Sequence, residues 1–306
     1  MPLAICHKLS PPKAGPPTAE TINYKLLSRL VIFIFVLSYS YAALAQEWQE
    51  LKGDHFLVYF TKDEGFAKDV LSKSEFYYNR ISSDLGYARY SEFWTWDKRV
   101  KIYIYPDKDS FLKASGEQNW SEGMADYKKK EIISYAWNQG FLESLLPHEL
   151  AHLIFRDFVG FKGEVPLWLD EGVAQWAEEA KRRQVKEVSK QLYKEDTLLS
   201  LSDMMSLNIR KVSDKDGVHI RSARTKDNKE GVLFLSGNNL VNVFYIQAVS
   251  LVGFLVEKYG SLSFIDFCRQ LRDGKSLEDA LSSAYSGSIG SLKDLEDKWR
   301  RYLGEG

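Results

Sequence analysis

A chain of 306 residues, 44% hydrophobic and 27% charged, has an ordinary globular balance and enough length for one large domain or two modest ones. A formal net charge of −1 leaves no basic footprint of the kind nucleic-acid binding needs. The 17 Tyr, 17 Phe and 8 Trp point to a bulky core and an aromatic-lined cleft.

Residues 1–24 are rich in Pro and read as disordered. Lys25 and Arg29 then precede an unbroken apolar run, Leu30 to Leu37, and Ala43 and Ala45 are spaced as a small-residue cleavage site. A basic flank, a short apolar core and A-x-A together predict a signal peptide over residues 1–45. The protein is therefore expected to be exported, to a periplasm or the extracellular space. Left uncleaved, residues 26–45 would anchor it, the one route to a membrane that the sequence offers. The 29-residue lead before the apolar run is long for such a segment and suggests a start codon further downstream. Cleavage after Ala45 removes Cys6 and leaves Cys268 alone, so no intrachain disulfide can form. Cys268 lies in SFIDFCRQL, an apolar helical pattern, and is expected to be buried packing.

Along the remaining chain, 55–60 (HFLVYF) reads as a strand and 62–86 as a helix that stops at Gly86. In 99–106, Val100, Ile102 and Ile104 alternate with Lys101, Tyr103 and Tyr105, a half-buried strand ended by Pro106. Residues 131–137 (EIISYAW) read as a third strand. The preceding Lys128–Lys130 run reads as charge protecting a sheet edge rather than as a basic substrate patch. From 141 the pattern turns helical. One helix carries HELAH (148–152), and a second begins near Pro166, suited to a first turn, and runs through LWLDEGVAQWAEEAKRR. Residues 196–240 read as irregular, with DKDG and SGNN turn signals, and are long for a plain loop, which suits either a segment covering a site or a poorly ordered one. The stretch 243–260 is apolar nearly all round and should be buried. Three capping boxes follow: Ser263 with Asp266, Ser276 with Asp279 and Ser291 with Asp294.

On a helix, residues i and i+4 share a face, so His148 and His152 point the same way and can bind one metal ion through ring nitrogens. Glu149 is offset by about 100°, which places it beside such an ion as a general base toward water. Zinc held by two histidines needs one further protein donor. Glu171 is the candidate: eighteen residues separate it from His152, room to finish one helix, turn and return across it. Gly172 and Ala174 are small enough to let those two helices close on a shared ion. A carboxylate among Leu167, Trp168, Leu169 and Val173 is also expected to have a partner.

HELAH, eighteen residues, then the Glu of WLDEGVA resembles the gluzincin metallopeptidases. The segment WLDEGVAQW is similar to that of the membrane-alanyl aminopeptidases, and the layout from about residue 47 to the closing LEDKWRRYL is similar to small exported peptidase MA-like domains. The resemblance implies an α+β, thermolysin-like zincin fold, with a small mixed sheet packed on the HExxH helix and a mainly helical C-terminal lobe. The expected divisions are an α/β part over 46–140, the zinc-site helices over 141–195, the irregular 196–240 and a helical part over 241–306. It also implies one zinc ion on His148, His152 and Glu171, with Glu149 as base and Tyr245 as the donor that stabilises the oxyanion. Thermolysin-type sites carry an Asp one turn after the ligand Glu to orient a histidine. Here that position is Gln175, whose amide brings no charge and implies lower ligand basicity. GMAD (123–126) does not match the motif with which the aminopeptidases grip a free amino terminus. His219, in GVHIRSA, is a weaker candidate donor, and His55 at a strand start is expected to be structural.

The expected function is an exported zinc metallopeptidase hydrolysing peptide or protein substrates. The alternative is a non-catalytic module that keeps the fold and the metal and binds peptides or a cell-envelope partner. A metal-free structural protein would leave the coincidence of three donors unexplained.

Overall fold

The computed structural model describes residues 48–86, 94–117, 119, 121–137, 140–161, 165–212 and 214–305. Residues 1–47, on which the expected signal peptide and Cys6 fall, lie outside them. Trp48–Gly306 form one compact unit of mixed α+β structure.

The first half builds a five-stranded sheet from β1 (Gln49–Lys52), β2 (Phe56–Phe60), β3 (Val100–Tyr105), β4 (Gly123–Asp126) and β5 (Glu131–Tyr135), in the order β1-β2-β3-β5-β4. The three central strands run parallel; β1 and β4 are antiparallel edges. The alternation expected for 99–106 holds. Phe56, Val58, Phe60, Val100, Ile102, Ile104 and Ile132 are buried on one face. On the opposite face Tyr59 stacks on Tyr103 at 4.9 Å, and Trp48 meets Tyr103 and Tyr105 edge-on. Helix α1 (Glu64–Asp84) packs on the buried face and stops at Gly86, whose φ of +74° suits glycine. The short α2 (Lys108–Ser115) and both edge strands had no clear sequence signal. The lysine run lies in the β4–β5 turn: the amides of Lys128 and Lys129 donate to Asp126, and Lys130 pairs with Asp157 at 2.5 Å. It tightens a hairpin beside the sheet edge.

A π-helical turn (Phe141–Leu145) leads into α3 (Leu146–Val159), the HELAH helix, which ends at Gly160 with φ +77°. Leu146, Leu150, Ala151, Ile154 and Phe155 are fully buried against the sheet and α1. Each large side chain contributes about 2 kcal/mol of burial. That offsets the cost of taking His152, 3% exposed, out of water on the same helix.

In the next segment one expectation holds and one fails. The second helix begins beside Pro166, which stands just before the first turn as its cap: its carbonyl accepts from the amides of Leu169 and Asp170. The helix does not run through AEEAKRR. It ends as α4 (Leu167–Ala177), Glu178 adopts an extended conformation (ψ 104°), and α5 (Glu179–Lys194) starts afresh. Helix α1 pins the break, with Arg80 donating to the Ala177 carbonyl and Asp84 pairing with Arg182 at 2.7 Å.

The segment 196–240 is ordered rather than irregular. It holds α6 (Leu201–Ser206), a 3-10 turn (Ile209–Lys211) and a hairpin of β6 (Val218–Arg224) and β7 (Glu230–Ser236). The SGNN signal is a helix cap: Ser236 accepts from the Asn239 amide and opens α7 (Gly237–Tyr259). This apolar helix is long enough to cross a membrane by composition, but thirteen of its residues are buried, as a core helix requires. Buried Gln247 clasps Leu199 through both its amide nitrogen and its oxygen, tying the segment to α7. Three helices close the chain, α8 (Ser261–Arg272), α9 (Leu277–Ala284) and α10 (Leu292–Gly304). Ser276 and Ser291 cap α9 and α10 as expected, but Ser263 lies inside α8, which follows Gly260 directly. Cys268 is fully buried, and burial pushes its thiol pKa up. His55 is structural, stacked on Tyr78 and held to Glu75 at 2.6 Å.

Gly172 serves a different approach from the one its position suggested. A Cβ there would meet the Ala248 carbonyl oxygen and a Val252 methyl, both at 2.7 Å. The missing side chain therefore admits α7, not α3, and Gly253 of α7 reciprocates by accepting the Trp176 ring. Gly172→Ala is expected to cost about 1–3 kcal/mol through overpacking, read as a lowered thermal midpoint; an unchanged midpoint would show that α4 and α7 are not in close contact.

Candidate metal centre

Helix α3 presents His148 and His152 on one face, and α4 crosses it to bring Glu171 opposite. The two Nε2 atoms lie 3.3 Å apart, and Glu171 Oε2 is 3.8 Å from the first and 3.9 Å from the second. These three residues form a group whose ligand atoms all fall within 4.8 Å of one another. Two nitrogens at the usual zinc distance from a tetrahedral ion would be separated by about 3.3 Å. The imidazoles therefore stand at ligand spacing already, and the carboxylate needs to close by about 0.5 Å to match a zinc–oxygen bond.

What holds the imidazoles there was not foreseen. His152 Nδ1 lies 2.9 Å from Asp170 Oδ1, and His148 Nδ1 lies 2.8 Å from Glu178 Oε1. Both carboxylates are almost fully buried. A proton on each Nδ1 makes that bond and leaves both Nε2 lone pairs converging, an arrangement that repels itself unless a cation joins it. Asp170 is braced by Arg156 at 2.5 Å, whose guanidinium covers the Tyr127 ring at 4.3 Å. Glu178 is braced by Ser144 at 2.5 Å and Lys181 at 2.8 Å. Glu178 faces His148 because the chain leaves helical geometry there, so the break between α4 and α5 belongs to the site.

Gln175 does not take the orienting part. No hydrogen bond joins it to either imidazole among the described residues, and its side chain lines a neighbouring cleft. The inference of low ligand basicity is thereby reversed, because both histidines are backed by charge.

The electrostatics favour a cation. Burial opposes charging His152, but Asp170, Glu149 and Glu171 outweigh it and raise the imidazole to about 9. Burial likewise raises the carboxyls of Asp170 and Glu178, yet their histidine and cationic partners hold both below the usual range. The negative field that would keep a proton on His152 is the field that would hold a metal ion.

Glu149 is half-buried, acts electrostatically on both His152 and Tyr127, and its carboxylate has no hydrogen bond or ion pair among the described residues. Tyr245, on α7, lines the same cleft as His148; burial and then Glu171 push its phenol up to about 12, so it stays a donor at neutral pH. His219 is not brought to this site. It sits on β6 with Nε2 3.0 Å from the Asp214 carbonyl. The 196–240 segment does reach the centre, through Arg210, which donates to Glu171 Oε1 at 3.1 Å and leaves Oε2 toward the histidines.

Asp170, Glu178, Arg210, Arg156 and Tyr127 were missed by sequence reasoning. A signal existed only for Asp170, a second carboxylate in the apolar run that marked Glu171. Neither a protein-family model nor a curated protein matches the chain.

If charge on the outer nitrogen supports the ligands, Glu178→Gln should weaken zinc affinity about 10–100-fold, measured by competition with a chromogenic chelator. Gln175→Ala should stay within about threefold of wild type, since no imidazole bond is lost. The reverse ranking would return the orienting role to Gln175.

Proposed function

We propose that this chain is an exported, zinc-dependent peptidase of gluzincin type on a thermolysin-like fold. One observation carries the reading: two imidazole Nε2 atoms and a carboxylate oxygen converge at ligand spacing, with each imidazole held from behind by a buried carboxylate. The N-terminal composition supports export.

His148, His152 and Glu171 would hold one zinc ion, which supplies Lewis acidity and lowers the pKa of a water. Among the described residues the Glu149 carboxylate has no hydrogen bond or ion pair, and it stands beside the ligand face, so it could take a proton from a water there and return it to the leaving amine. Tyr245 remains protonated and donates to the oxygen that gains charge. Asp170 and Glu178 fix the tautomer and orientation of the two imidazoles.

Substrate access has a matching feature. The edge strand β4 pairs only with β5 among the described strands, leaving its outer edge without a partner. It runs into Tyr127, whose ring is 5.9 Å edge-on from that of His152. An extended peptide added to that edge would cross the metal centre with its carbonyls fixed by main-chain bonds.

Glu149→Gln is expected to retain zinc and lose turnover by about 10²–10⁴-fold, measured with quenched fluorescent peptides. Full hydrolysis by that variant would end the role assigned to Glu149. Tyr245→Phe should lower kcat by about 10²–10³-fold with little change in KM, as removal of an oxyanion donor does elsewhere. A change confined to KM would make Tyr245 a binding residue instead. A chelator should abolish activity and added zinc restore it. Peptide binding with no turnover by the zinc-loaded wild type would favour the non-catalytic module.

A further inference from the structure

Eight large apolar side chains are exposed among the described residues. Phe76, Trp96, Val188 and Leu262 belong to four different elements, the scatter expected of any surface. The other four, Val218, Ile220, Val232 and Phe234, share one face of the β6–β7 hairpin and are 59–72% exposed.

The strand pairing sets their arrangement. Side chains alternate across a strand, and the opposed positions on this face are Val218 with Ser236, Ile220 with Phe234, Ser222 with Val232 and Arg224 with Glu230. The apolar members form a diagonal stripe: Val218, then the Ile220–Phe234 pair, then Val232. The other face is already used, since Ala223 is buried and Leu233 and Leu235 pack against the core. On β6 the inward positions carry His219 and Arg221, so its larger apolar side chains point at solvent. A slip of one residue would turn them inward, and seven paired positions hold the register that keeps them out.

Charge narrows the choice of occupant. Arg224 is drawn off to Asp297 at 2.9 Å, which leaves Glu230 as the charge of this face, at its turn end and outside the stripe. The turn sets Lys226 and Lys229 against Asp227 and Glu230, and the segment before β6 sets Lys215 between Asp214 and Asp216. Neither end has the net positive charge that draws a segment to anionic lipid, nor a field that selects a partner of opposite sign.

The stripe matches itself instead. A half-turn about the midpoint of the Ile220–Phe234 pair exchanges Val218 with Val232 and Ile220 with Phe234. An identical stripe laid on it face to face, as two sheets pack about 10 Å apart, meets apolar side chains along its whole length. The four side chains present roughly 400 Å² of apolar surface, the extent of a functional patch. A standard interface covers about 800 Å² per partner, an apolar core inside a polar rim. The stripe would form that core, with Ser222, Ser236 and the turn as rim.

We propose that the outer face of the β6–β7 hairpin is a self-association surface, covered by the same face of a second copy of this chain across a two-fold axis. The pairing is independent of the metal centre and of its chemistry.

Sedimentation equilibrium of the purified protein tests it. Wild type should pass from one to two chain masses as concentration rises, with a dissociation constant of about micromolar or tighter. Phe234→Asp and Ile220→Asp, both at exposed positions, should keep the wild-type circular dichroism and weaken association by at least about tenfold. Ile220→Cys should be joined into a dimer by a short bifunctional thiol reagent, since Cys268 is buried and does not compete. Ser282→Cys, exposed on α9, should not be joined. A wild type that stays monomeric at its highest soluble concentration overturns the proposal. So does a dimer that survives Phe234→Asp or leaves Ile220→Cys unjoined. Flotation of monomeric wild type with phosphatidylglycerol vesicles, lost in Phe234→Asp, would overturn it in favour of a lipid surface.

Discussion

Two carboxylates withdrawn from water, Asp170 and Glu178, each take the outer nitrogen of one imidazole on the HELAH helix, and the inner nitrogens are thereby left facing each other at 3.3 Å. A helix alone sets the two histidines on one face, but it leaves their rings free to rotate and choose tautomers. Carboxylates on the far side remove both freedoms. Most of the surrounding architecture bears on keeping those two groups where they are. Arg156 and the Tyr127 ring brace Asp170. Ser144, on the π-helical turn before α3, and Lys181, on the first turn of α5, brace Glu178.

That arrangement explains two departures from regular geometry. Glu178 faces His148 only because α4 stops at Ala177, and α1 secures the stop through Arg80 and Asp84. Glu171 reaches the histidines while its second oxygen is held by Arg210, from a segment 39 residues later. Helix α7 closes the cleft with Tyr245, and its approach depends on the absence of a side chain at Gly172. The sheet, the helix pair and the long buried helix thus meet at one centre of largely buried carboxylates, where charge interacts more strongly than it would in water.

The parts legible in sequence were those fixed by local pattern. The alternation of 100–105 and the apolar face of α3 appeared as expected, because period alone determines which residues face the core. The caps at Ser276 and Ser291 depend on three-residue spacing and were equally readable. The cap proposed at Ser263 failed because Gly260 ends one helix and the next starts immediately, a junction the serine does not control. The break at Glu178 was invisible: Glu, Ala, Lys and Arg all favour helix, and the contacts that interrupt it come from α1 and His148, distant in sequence. The β6–β7 hairpin was hidden for another reason. Its outward positions carry Val218, Ile220, Val232 and Phe234, all exposed, so the usual apolar-in, polar-out signature is blurred. Of the candidate site, the grouping of His148, His152 and Glu171 was readable from spacing, whereas the placement of Asp170, Glu178 and Arg210 depends on how helices cross.

Metal content is the most direct measurement: elemental mass spectrometry of the purified protein after zinc is supplied, beside Glu171→Ala. The expected result is about one zinc per wild-type chain, lost or much weakened in the variant. A wild-type protein that is folded and stays empty would mean that the converging imidazoles are held by protons and carboxylates alone, and the catalytic reading would fall with the metal.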